Sequence, residues 1–134
     1  MSKLSELVAV RVMGAPVIDT LDPVPKGFYV RNHAAYYGDD AGRNRCECFM
    51  PDTSIADAMR VVEKMRELGW YLTIADKGGE FELTTVWFRE VPEGTFEAEG
   101  SAAGRVGTEP ELICLAALRA VGVPEREIEE ARKQ

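Results

Sequence analysis

Apolar residues spaced three and four apart mark three helices in this chain. From Ser2 to Met13, Leu4, Leu7, Val8 and Val12 recur in that way, with Ser2 placed to cap and Gly14 ending the run before Pro16. The period is strongest from Asp52 to Leu68, where Ile55, Ala58, Met59, Val62, Met65 and Leu68 line one face. Asp52, Thr53 and Ser54 crowd its start, Ser54 and Asp57 have the form of a capping box, and Gly69 closes its end. A third helix runs from Thr108 to Val121. There Thr108 and Glu111 form a second capping-box pattern, Pro110 sits in the first turn, and Gly122 follows the last apolar residue.

Between the helices the period shortens toward two. Trp70 to Ala75 and Phe81 to Arg89 read as strands of a hairpin around Asp76-Lys-Gly-Gly79, and Thr95 to Ala98 continues as a third antiparallel strand after Pro92-Glu-Gly94. Phe28 to Tyr37 and Arg45 to Met50 are short aromatic or apolar runs that pair as a hairpin across the turn-rich segment 38–44. Three prolines, Pro16, Pro23 and Pro25, make Ala15 to Gly27 an irregular connection or an edge. Each apolar helix stripe needs a sheet face to bury it, so the order predicts an α+β fold: a mostly antiparallel sheet covered by helices. One domain spans residues 1–123, and residues 124–134 form a polar C-terminal tail with room for a short frayed helix.

At 134 residues the chain is long enough for one core, and 46% hydrophobic with 29% charged residues is ordinary for a globular protein. Sixteen basic against twenty-three acidic residues give a net charge of −7. That balance excludes duplex nucleic acid as the main partner, because phosphate-backbone binding is driven by clustered Lys and Arg. Three cysteines supply no disulfide framework and point to a reducing compartment; no signal core and no membrane-length apolar run is present, so a cytosolic, membrane-free protein is expected.

Candidate chemistry is sparse. Cys46 and Cys48, one residue apart on a strand, share a face, but only Cys114 and His33 could complete a zinc set, so no metal and no cofactor is expected. The cysteines read instead as small half-buried residues. His33 is the single histidine and has no nucleophile motif beside it; a hydrogen-bonded or surface imidazole is the plainer reading, and no catalytic residue is assigned. Glu80 with Glu82, and Glu97 with Glu99, alternate as on a solvated strand face.

The cations are more specific. The segment Gly100 to Gly107 reads as a glycine loop entering the Thr108 helix, where free N–H groups and the dipole favour an anion. Arg105 lies in that loop, and Arg43 and Arg45 lie in another; guanidinium groups grip phosphate by bidentate bonds. The candidate ligand set is therefore Arg105, Gly104, Gly107, Thr108, Arg43 and Arg45, with Trp87 and Tyr36 as stacking faces for a base.

Three blocks carry a resemblance. Leu7-Val-Ala-Val-Arg-Val-Met-Gly14 is similar to the Val-Ala-x-x-Val-Met-Gly opening of the phage ABA sandwich domain family. Ile55 to Met65 resembles that family's central helix, and Thr108 to Leu118 resembles its closing Thr-x-Pro-x-Ala-Ile-Cys-x-Ala-Ala-Leu helix. The chain departs from the pattern at Leu112 and in the Pro-rich segment from Ala15 to Gly27. The resemblance implies an α/β/α sandwich and a phage or prophage origin, and it brings no catalytic residues with it.

Together these readings predict a non-catalytic phage protein in the host cytoplasm. It would bind and sequester a small nucleotide-like anion, such as a signal made by host defence. Two alternatives stand beside it: a protein–protein module or inhibitor of a host enzyme, and a small nucleotide hydrolase. The reading also leaves room for a homo-oligomer.

Overall fold

In the computed structural model, residues 2–20, 25–38, 46–76, 82–90, 94, 96–105 and 107–133 are described. Their elements run α1 (Lys3–Arg11), β1 (Gly27–Arg31), β2 (Ala34–Gly38), β3 (Cys46–Cys48), α2 (Ile55–Glu67), β4 (Trp70–Asp76), β5 (Glu82–Glu90), β6 (Phe96–Arg105), α3 (Glu109–Ala120) and α4 (Glu125–Arg132). The fold is an α+β sandwich of antiparallel sheets covered by helices, as the hydrophobic pattern predicts. The strands form two sheets, ordered β1–β2–β3 and β4–β5–β6, and no strand of one touches a strand of the other among the described residues. α1 packs on β1 and β2, α2 on β4, and α3 on β5 and β6.

The run from Phe28 to Tyr37 is two strands. Asn32 and His33, at φ 52° and 62°, turn the chain in the left-handed conformation that a two-residue hairpin of the I′ type requires. β2 then pairs with β3, so the expected pairing across residues 38–44 stands, with β1 added on the far side.

α3 is the centre of the molecule. All seven residues from Leu112 to Leu118 are buried, so the helix is apolar on every side and needs neighbours all round. β5 and β6 lie on one side, and α1, α2 and α4 also touch it. Removing each large side chain here from water contributes about 1.5–3 kcal/mol. α4 occupies the segment expected as a tail. Ile128 and Ala131, three apart, bury its apolar side, and Arg11 pairs with Glu127 at 2.8 Å, so the packed core runs beyond residue 123.

α2 buries a narrower stripe than expected. Ala58, Val61, Val62 and Met65 are inside, whereas Ile55, Met59 and Leu68 flank that arc and stay exposed, Ile55 by 54%. The apolar pattern is broad enough to cover more than the neighbouring elements do.

Candidate functional site

The two capping-box patterns part company in the structure. At α2, Ser54 Oγ accepts from the Asp57 N–H at 3.3 Å, while the Asp57 carboxylate accepts from the Met50 N–H at 2.9 Å. At α1, Ser2 Oγ accepts from the Ser5 N–H, and both serine hydroxyls donate to Asp52, at 2.6 and 2.7 Å, joining α1 to the approach of α2. At α3, Thr108 occupies the cap position but makes no capping bond. Its hydroxyl donates to the Arg105 carbonyl at 2.6 Å, and Glu111 pairs with Arg132.

The expected glycine loop is mostly strand. β6 extends through Arg105 and pairs with β5 along its length, so Gly100 and Gly104 are ladder residues. They face α3. A Cβ on Gly100 would stand 2.3 Å from the Ala116 carbonyl oxygen and 2.4 Å from the Ala120 nitrogen; one on Gly104 would stand 2.9 Å from Leu112. Gly100, Ala102 and Gly104 thus form a stripe of small residues against which the helix lies closely. Their smallness serves packing.

The register sorts the proposed ligand set onto separate surfaces. Gly104 pairs with Leu83 on the inner face, and Trp87, also inner, is fully buried with Gly100 opposite. Arg105 pairs with Glu82 one residue along, on the face away from α3, and is exposed. Tyr36 stacks on Tyr29 in the other sheet, ring centroids 5.3 Å apart. Gly107 takes φ +102° in the short turn before α3, and its N–H already donates to Glu109 at 3.1 Å. With Glu109 and Glu111 in the first turn, negative charge of the chain itself occupies that helix end. Arg43 and Arg45 lie outside the described residues.

The remaining chemistry is equally scattered. His33 sits at the tip of the β1–β2 turn with Nδ1 3.2 Å from Glu6 Oε1, a surface, hydrogen-bonded imidazole. Cys48 is exposed, in contrast to the half-buried position expected of it, and Cys114 is buried in α3. Burial, followed by the nearby charges of Asp52 and Glu111, pushes the Cys114 thiol well above its ordinary range. Glu97 and Glu99 are exposed, as a solvated face requires. No group of three or more His, Cys, Asp or Glu residues converges on a metal-sized site among the described residues.

The sequence reading missed the outer face of the β4–β5–β6 sheet. Tyr71, Thr73 and Ala75 on β4 share it with Thr84, Val86 and Phe88 on β5 and Ala98, Ser101 and Ala103 on β6. These nine are uncharged, Glu82 and Arg105 bring charge to the same face at its end, and no helix packs there among the described residues, because α2 and α3 both lie on the other side. The strands from Trp70 to Ala75 and Thr84 to Phe88 were legible as strands, and their alternate positions lack the charges of a solvated face. That was the available signal.

The described residues form a small α+β sandwich in which antiparallel strands and helices enclose the buried helix α3. The family model of the Phage ABA sandwich domain matches residues 6–118, and the chain belongs to that family. No curated protein and no solved structure shows a significant match to the chain. The family span ends inside α3, so α4 lies beyond it although it is docked on α1 and α3. No helix among the described residues is long and apolar enough to cross a membrane.

Proposed function

We propose that this phage protein acts by binding, as a protein–protein module that presents the outer face of the β4–β5–β6 sheet to a host protein. The observation that carries the reading is a set of nine uncharged residues on a sheet face that no helix covers among the described residues, in a chain whose net charge is −7. A contiguous patch that carries apolar side chains, here Tyr71, Val86 and Phe88, is the kind of surface that marks an interaction site. The partner complementary to it offers an apolar, uncharged surface with aromatic or aliphatic side chains to set against Tyr71, Val86 and Phe88. Binding of this kind needs no catalytic group, and it operates in the cytoplasm of the infected cell.

The reading is tested by placing a photo-crosslinking residue at Thr84 in infected or expressing cells and identifying the host protein captured. Its affinity for the purified wild-type chain and for Ala103→Lys is then measured by calorimetry. A charge placed on the face should weaken binding by more than tenfold, about 1.4 kcal/mol. Equal affinity for the two proteins would remove the face from the interaction.

Arg105 favours a second reading. Its guanidinium is exposed and makes no hydrogen bond or ion pair among the described residues, which suits a nucleotide-like anion sequestered without turnover. Titration of the wild type with cyclic dinucleotides and cyclic ADP-ribose isomers tests it, with Arg105→Glu as the control. Absence of binding at micromolar concentration would leave the protein–protein reading alone.

A further inference from the structure

We propose that the outer edge of β4 is a self-association site, through which two copies of this chain join antiparallel into one six-stranded sheet. β4 pairs with β5 from Trp70 to Asp76, and its other edge pairs with no strand among the described residues. Edge strands are ordinarily protected by charge, proline, bulges or shortness. Trp70-Tyr-Leu-Thr-Ile-Ala75 has none of these: six residues without a charge, a proline or a glycine, paired in regular register throughout.

The exposed apolar residues gather beside this edge. Among the described residues seven large hydrophobic side chains are exposed, and five of them, Ile55, Met59, Leu68, Tyr71 and Ile74, belong to α2, its following turn and β4. Ile74 shares the inner face with Trp70 and Leu72 yet is 43% exposed. α2 and β4 are joined by a two-residue turn and pack together. Met59 lies about 12 Å back from the end of α2, and Ile74 about 13 Å forward from the start of β4. Met59 and Ile74 thus lie at similar distances from the connecting turn, so both elements carry exposed apolar side chains at that height.

The occupant that fits is a second copy. At a net charge of −7, two copies repel one another least where they meet away from carboxylates, and Trp70–Ala75 is such a stretch. An antiparallel edge is also complementary to itself about a two-fold axis. With Thr73 on that axis, Tyr71 faces Ala75 of the second copy, Leu72 faces Ile74, and Trp70 faces Asp76: large against small, apolar against apolar, and no carboxylate against another. The proposal stands apart from the host-partner reading, which concerns the face of the sheet and would survive its failure.

Sedimentation equilibrium of the full chain should give twice the 14.8 kDa chain mass at micromolar concentration. Thr73→Lys and Thr73→Asp each set like charges across the axis and should sediment as folded monomers, while an equimolar mixture of the two should recover the dimer. Monomeric wild type, a charged variant that remains dimeric, or a mixture that stays monomeric would each overturn the proposal. Should a variant fail to fold by circular dichroism, hydrogen exchange of the wild type decides. The β4 amides should exchange more slowly at high than at low protein concentration, and concentration-independent exchange would overturn it.

Discussion

On the inner face of the β4–β5–β6 sheet, Leu83, Thr85 and Trp87 meet Gly104, Ala102 and Gly100, and α3 closes over them. On the outer face, one residue along each strand, Thr84, Val86 and Phe88 meet Ala103, Ser101 and Ala98 with no helix above them among the described residues. The same backbone therefore serves two ends. Inside, small residues on β6 let α3 approach within contact distance of the ladder, so shape is determined closely and substitutions are costly. Outside, no helix covers the side chains among the described residues, yet the nine that precede the Glu82–Arg105 pair at the end of the face carry no charge. The absence of charge where packing does not demand it is what points to a partner.

The contrast is tested most severely at Gly100. Gly100→Ala places a methyl group against the backbone of Ala116 and Ala120, which cannot rotate aside as a side chain would. Destabilisation near the top of the usual overpacking range, about 3 kcal/mol, is expected in chemical denaturation. A loop glycine would accept alanine at little cost, so an unchanged midpoint would restore the loop reading.

Thr85→Val probes the inner face from the other direction. Thr85 Oγ1 is buried with no hydrogen-bond partner among the described residues, as is Trp87 Nε1. Replacing the hydroxyl by a methyl of similar shape removes a desolvation penalty, so the variant should be unchanged or more stable by about 1 kcal/mol. A clear loss of stability would mean that the hydroxyl has a partner.

The thiols report the same inside–outside contrast as reactivity. Cys48 should be alkylated in the native protein, whereas Cys114, buried and held protonated, should react only after unfolding. Because the folded state raises this thiol, the stability it supports is complete below the unfolded thiol's range. It declines as alkaline pH ionises the unfolded chain first. Peptide mapping after brief alkylation and a denaturation series toward high pH check the two statements.

The smallest effect is expected outside. Thr84→Lys and Ala103→Lys should change stability by no more than about 0.5 kcal/mol, since neither side chain packs under a helix. A larger loss in thermal melts would show that the outer face is covered in the folded protein.

The elements themselves were readable. All three predicted helices are present with ends displaced by a few residues, because apolar period, Ser caps at Ser2 and Ser54, and glycines at Gly69 and Gly122 are local signals. The β4–β5 hairpin was equally local. The β1–β2 turn escaped notice because Asn-His lacks the glycine usual at left-handed positions, and α4 looked like a tail because two apolar residues among eight are a weak stripe.

What the chain determined by itself was therefore the set of helices and strands and the charge they carry. The tertiary structure decided the rest, because a residue's role depends on what lies opposite it. Gly100 and Gly104 are as permissive in a loop as in a strand, and only the arrival of α3 makes them spacers. Thr108 and Glu111 have the spacing of a capping box, but Arg105 offers its carbonyl to the hydroxyl and Arg132 takes the carboxylate. Arg105 and Gly104 are neighbours in sequence and lie on opposite faces of a sheet. That separation follows from the two-residue period of a strand once pairing with β5 fixes the register.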